Sequence, residues 1–230
     1  MNRYNHRKFL ILLVALLLLL IAQPLIADWE YGRVVISILG SALQVATILA
    51  LFQDRKERVF ALVFGLPTIA AIWSRHCYSG PALEVALVAG HAFVGTFLAL
   101  TAVLVLHYVL THQVTADTVF GALCAYLLIG VATAQAYFIM ETLQPHSFKA
   151  SADVTAGFID PDTRAASLMY YSFTTLTTSG YGDIVPDTPL TRTLSWMEAV
   201  AGQFYLAVLV AGLVGMRVSQ KMAASRNAAG

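Results

Sequence analysis

Between residues 177 and 183 the chain reads Thr-Thr-Ser-Gly-Tyr-Gly-Asp. Three hydroxyl side chains are followed by two glycines that flank a tyrosine, and an acid closes the run. Glycine takes positive φ without steric cost. Gly180 and Gly182 can therefore turn a backbone whose carbonyls would otherwise alternate sides. Successive carbonyls then point the same way, and Tyr181 points away from them. Four such segments around one axis would stack rings of oxygens able to replace the water around a dehydrated cation. The Thr178 hydroxyl would add oxygens at the inner end. A Gly-Tyr-Gly run alone is also an ordinary turn signal. The turn reading does not account for the hydroxyl run, the short helix before it or the apolar stretches on both sides.

The elements that must position these residues belong to a membrane protein. The chain has 230 residues, of which 58% are hydrophobic and 12% charged; a soluble domain is nearer half apolar and about a quarter charged. Six spans are predicted, at roughly 9–27, 33–52, 59–74, 82–110, 118–142 and 193–217, set against a hydrocarbon core of about 30 Å. Residues 1–27 also resemble a secretory leader, but the apolar run is long enough to span and lacks a clear small-x-small cleavage site. With the N-terminus inside, Arg3, Arg7, Lys8, Arg55, Lys56, Arg58, Arg217, Lys221 and Arg226 collect on the cytoplasmic side. Arg33, Arg75, Lys149, Arg164 and Arg192 are left outside, in the direction of the positive-inside rule. Both termini are then cytoplasmic. A polar, breaker-rich loop follows the fifth span. A short helix at about 164–176, capped by Pro161-Asp162 or Thr163, leads into the glycine-containing run. Irregular backbone at membrane depth is tolerated only inside protein or along a water-filled cavity, so the expected arrangement is a re-entrant loop. The helix would aim the partial negative charge of its C-terminus at the centre, which favours a cation.

The stretch "YYSFTTLTTSGYGDIVP" (170–186) resembles the pore signature of tetrameric potassium channels. The resemblance covers roughly 118–217 and implies an outer helix, a pore helix, a selectivity filter and an inner helix. It implies that Thr178, Ser179, Gly180, Tyr181 and Gly182 supply the oxygens that coordinate K⁺, with Thr177 and Thr174 supporting them. It implies that Asp183 and Tyr171 brace the filter from behind, the acid reaching toward a pore-helix aromatic. By its spacing after the filter, Gly202 matches an inner-helix gating hinge. The whole is then an all-α polytopic membrane protein with a re-entrant pore helix and filter between the last two of its six transmembrane helices. Its parts are a four-helix N-terminal domain (1–117), a pore domain (118–217) and a short cytoplasmic tail (218–230). The implied function is passive K⁺ conduction by a homotetramer; compactness and the lack of regulatory domains point to a bacterial plasma membrane. Its partners are K⁺ and lipid; no cofactor, nucleic acid or enzymatic activity is implied.

Ser179 departs from the pattern, which usually carries Val or another apolar residue there. Its hydroxyl needs a partner behind the filter, and a network of Thr174, Thr175, Thr177 and Ser179 is the expectation. Without one, the filter loosens toward a general cation pore. A voltage sensor needs several cations along one helix, and residues 82–110 contain no Arg or Lys, so weak voltage dependence at most is expected. Glu198, inside the last span, either lines the pore or bonds to pore-helix hydroxyls. Glu84 and His91 share a helical face and read as proton sensors or as polar contacts between helices. Gly202 reads as a hinge or as a packing site. Cys124 reads as a buried, inert thiol. A different class, an intramembrane enzyme or receptor built on the first four spans, would rest on His76, His91, His107 and His112, which lack any metal or catalytic spacing.

Overall fold

The computed structural model describes residues 8–26, 29, 31–51, 65–73, 76–77, 80–112, 115–151, 158 and 160–229. The order is α1 (Lys8–Ile26), α2 (Gly32–Leu51), α3 (65–73), α4 (Pro81–Thr111), α5 (Ala116–Leu143), β1 (Phe148–Ala150), α6 (Pro161–Leu176), β2 (Ile184–Pro186) and α7 (Pro189–Ala229). Among the described residues, three helices are long and apolar enough to cross a membrane: Lys8–Ile26, Ala82–Thr111 and Ala116–Leu143; Gly32–Ile48 is a shorter apolar helix. Residues 59–64 and 74 of the expected third span lie outside the described residues.

Local chemistry sets most of the boundaries. Pro81 opens α4 at the first helical position, where its missing N–H is no loss. Thr115 caps α5 reciprocally with Thr118, each side chain accepting from the other's backbone N–H. The short helix begins three residues earlier than the expected 164 because Asp160, not Asp162 or Thr163, is its cap. The Asp160 carboxylate accepts from Asp162 N–H at 2.9 Å, and Pro161 takes the first turn. At the start of α7, Thr188 and Thr191 make a second reciprocal pair, so this helix starts ahead of the expected 193. It also continues beyond 217 to Ala229, so the expected tail is a helical extension.

The all-α expectation is corrected in one place. Part of the segment expected to be loop forms β1, which pairs antiparallel with β2, Phe148 opposite Pro186 and Ala150 opposite Ile184. Two orphan donors entering β1 are taken by the buried Glu141 carboxylate, which accepts from His146 N–H and Phe148 N–H, each at 3.0 Å. The Phe148 ring then completes an aromatic triangle with Tyr137 of α5 and Tyr171 of α6, with ring centroids 5.1 to 5.4 Å apart. The ladder thus ties both ends of the irregular segment to the helices behind it.

A larger core joins α1, α4 and α5 through Phe9, Leu12, Leu16, Val105, Val109, Cys124 and Leu128, all fully buried. Lipid removes the hydrophobic drive between helices, so close packing through small residues matters more. Gly130 shows this: a Cβ there would lie 2.9 Å from the Phe173 ring of α6. At one end of the bundle, Arg33 at the start of α2 pairs with Asp162 at 2.6 Å, and Lys149 and Arg192 both pair with Asp187. At the other end, the Asp117 carboxylate at the start of α5 accepts from Phe9 N–H at 3.2 Å.

Phe148→Ala is expected to destabilise the chain by about 3 kcal/mol, through loss of a buried aromatic and the cavity left behind. Val185→Ala, on the exposed side of the same ladder, is expected to fall within about 0.5 kcal/mol of the parent. Thermal unfolding in detergent measures both.

Candidate functional site

The run at 177–183 begins as the end of a helix. The last carbonyls of α6 have no partners within it, and the next residues supply them. Thr178 N–H donates to the Thr175 carbonyl at 2.9 Å, and Ser179 N–H donates to the Thr174 carbonyl at 2.8 Å. With Thr177 as C-cap, these are the two bonds of a Schellman motif. That motif places Thr178 in the left-handed region, at φ 57°. Glycine is the usual occupant. A β-branched residue there carries strain of order 1–3 kcal/mol.

The positive φ then recurs at every second residue. Gly180 has φ 51° and Gly182 has φ 79°, whereas Ser179 and Tyr181 are not positive. An alternation of left- and right-handed residues is the backbone condition under which carbonyls that would face opposite sides of a strand can share one side. The segment from Thr177 to Gly182 is exposed, and a Cβ added at Gly180 or Gly182 would meet nothing within 4 Å. Tyr181 is 73% exposed, its ring lying parallel to that of Tyr170.

The Ser179 hydroxyl has the partner it needs. It lies 3.0 Å from Thr177 Oγ1, which in turn lies 2.7 Å from the Phe173 carbonyl. The expected hydroxyl network is narrower than the sequence reading had it, since Thr174 Oγ1 donates back to the Tyr171 carbonyl. The contribution of Thr174 to the run is its own carbonyl, which takes N–H groups from Ser179 and Gly180.

The acid's aromatic partner is also reassigned. Asp183 accepts from the hydroxyl of Tyr170 at 2.8 Å. The adjacent Tyr171, about 100° round the helix, turns into the core and donates to Ser195 Oγ of α7 at 2.6 Å. Behind the run, Glu198 of α7 is 3% exposed. Its Oε1 lies 2.5 Å from Ser172 Oγ of α6 and 2.6 Å from Thr133 Oγ1 of α5, and its Oε2 accepts from Tyr137 OH at 2.6 Å. One carboxyl group thus binds three helices. In the chain as it stands, the Glu198 carboxyl is bonded to hydroxyls of α6 and α5.

Gly202 marks the closest approach of α7 to α6. A Cβ there would collide with the Leu176 carbonyl oxygen, which already lies 3.3 Å from Tyr126 OH. Helix α7 runs unbroken through this position. The next residue, Gln203, donates from Nε2 to Thr178 Oγ1 at 2.8 Å. The sequence reading passed over Gln203, Tyr170 and Ser172. A signal for Gln203 existed, an amide inside an apolar span; Tyr170 and Ser172 are ordinary polar residues of a helix. In the N-terminal helices, His91 lies 2.5 Å from Gln135 Oε1 and stacks on Phe138, a polar contact between helices. Among the described residues no cluster of His, Cys, Asp or Glu is placed to hold a metal ion.

Glu198→Ala leaves the buried Tyr137 hydroxyl without its carboxyl acceptor, while Ser172 and Thr133 keep the Gly130 and Ile129 carbonyls, and is expected to destabilise the chain by about 2 kcal/mol. Glu198→Gln keeps one acceptor oxygen and is expected to lose about half of that. Detergent melting curves of the two variants rank them.

Residues 125–218 match a family model described as an ion channel. No curated protein and no solved structure matches the chain. The match runs from the middle of α5 through the ladder, α6 and the 177–183 run into α7, so the part of the chain that holds this geometry is the part similar to ion channels.

Proposed function

We propose that the chain is one subunit of a homotetrameric, K⁺-selective channel whose filter is formed by Thr178, Ser179, Gly180, Tyr181 and Gly182. The observation that carries this reading is the alternation of positive φ at Thr178, Gly180 and Gly182. It allows an irregular strand whose carbonyls share a side, which is what a ring of oxygens around a bare cation requires. The exposure of the same segment supports the oligomer. Backbone polar groups left open at membrane depth need other protein or a water-filled lumen, and three further copies supply both.

On this reading α5 is the outer helix, α6 the pore helix and α7 the inner helix. K⁺ binds at Thr178, Ser179, Gly180 and Tyr181. The C-terminal dipole of α6 points at the lumen and favours a cation. Tyr170 and Asp183 hold the outer end of the strand, and the Thr177–Ser179 hydroxyl pair stiffens it where the family pattern is apolar. The helices before α5 complete six spans, with both termini cytoplasmic in a bacterial plasma membrane. Gly202 packs α7 on the pore helix and serves as the hinge only if that contact opens. With no cation along α4, the field across the membrane has little charge to move.

Purified protein in liposomes is expected to pass K⁺ much faster than Na⁺ when an ionophore collapses the potential. Equal fluxes would refute the selectivity, and a stable monomer in detergent would refute the assembly. In planar bilayers, opening is expected to change only weakly across a hundred millivolts; a steep rise over a few tens of millivolts would contradict the absence of a sensor.

A further inference from the structure

Thr178 occupies the position at the end of α6 where glycine would be free of strain. Strain of this kind persists only where the surroundings over-determine it, and it gathers at functional positions. What threonine brings that glycine does not is a hydroxyl. That hydroxyl has one hydrogen and two lone pairs. The hydrogen goes to the Thr177 carbonyl at 2.7 Å, and one lone pair accepts from Gln203 Nε2 at 2.8 Å. One lone pair remains.

Gln203 is itself out of place. From Ala199 to Met216 it is the sole amide or charged side chain, in a span where polar groups are costly and functional by default. It reaches Thr178 because Gly202, one residue before, lets α7 close on the Leu176 carbonyl. The Glu198 carboxyl, one turn earlier, holds the two helices in that rotation. Two independent features, a strained β-branched residue and a lone intramembrane amide, therefore meet in one hydrogen bond.

We propose that Gln203 is the positioning residue for the innermost ion ligand: its amide N–H holds the Thr178 hydroxyl so that the free lone pair is presented to the ion. The assignment rests on reading residues 178–182 as the filter. Four such amides would surround the inner end of the filter, one per chain. The Thr178 oxygen then keeps its place when no ion is bound, so the ring is preorganised for the ion it selects.

The test is the K⁺/Na⁺ flux ratio of reconstituted channels. Gln203→Met has nearly the same length and no donor, and it is expected to lower the ratio roughly fivefold or more, about the value of one hydrogen bond per chain. Gln203→Leu is expected to do the same. The Gln203 side chain is exposed in the single chain, so melting temperature and tetramer yield are expected to stay at wild-type values, which separates positioning from folding. In a Thr178→Ser background the hydroxyl survives and Gln203→Met still lowers the ratio. In a Thr178→Val background it has no further effect, because the partner is gone. An unchanged ratio in Gln203→Met and Gln203→Leu, or an equal drop in the Thr178→Val background, overturns the assignment while leaving the channel intact. A wild-type protein that passes Na⁺ as fast as K⁺ overturns it too, since nothing is then being selected. A wild type that conducts neither ion removes the channel reading on which it stands.

Discussion

The last carbonyls of a helix must find partners beyond it, and the rest of this structure follows from how the end of α6 meets that demand. Helix α6 has 16 residues, too few to cross a hydrocarbon core of about 30 Å. Its last carbonyls are taken by the N–H groups of the next three residues. The same bonds force a left-handed residue at Thr178, which reverses the strand and starts the alternation that continues through Gly180 and Gly182. The cap of the helix and the first turn of the candidate filter are therefore one object. The unusual residue at the cap, threonine rather than glycine, is also the one whose hydroxyl α7 holds.

A short helix and an exposed strand carry little cohesion of their own, so their position has to be imposed from behind. Three contacts impose it. The Glu198 carboxyl gathers hydroxyls from α5 and α6 in a buried site. The aromatic triangle of Tyr137, Phe148 and Tyr171 fixes the outer part of α6 and, through β1, the strand that leaves the candidate filter. The missing side chain at Gly202 lets α7 press on the Leu176 carbonyl. The first is polar, the second aromatic and the third steric, so they respond differently to change. Losing the polar knot leaves the buried Tyr137 hydroxyl without its acceptor. Filling the glycine separates two backbones that cannot deform to suit.

The hydroxyl chain through Thr177 and Ser179 ties the irregular run back to the end of α6. The Ser179 hydroxyl is exposed in the single chain, so what it gains from a partner is order rather than relief of desolvation. Here the partner is the neighbouring threonine, whose own bond runs to the Phe173 carbonyl within the helix. The serine is thus tied to the helix end through a side chain, in addition to the backbone bond its N–H makes to Thr174. In energetic terms it stiffens the turn, as an apolar side chain would by packing.

The sequence by itself determined what short-range signals can carry. Long runs of leucine, valine and alanine demand helices in lipid, and Asp-Pro, Thr-x-x-Thr and the two glycines mark ends and turns by local backbone chemistry. The candidate filter was legible because its geometry is a property of consecutive φ angles, which glycine spacing reveals. Only the tertiary structure decided which side chains meet. Tyr170 and Tyr171 are equally good partners for Asp183 on paper, and the rotation of α6 sends one to the acid and the other to Ser195. Glu198 had two faces to choose from until α7 was placed beside α5. The three-residue strands were unreadable because neither has enough length for a period of two, and each exists only because the other lies across from it. Gln203 reaches Thr178 through a contact that no spacing in the chain records: two backbones brought together at Gly202.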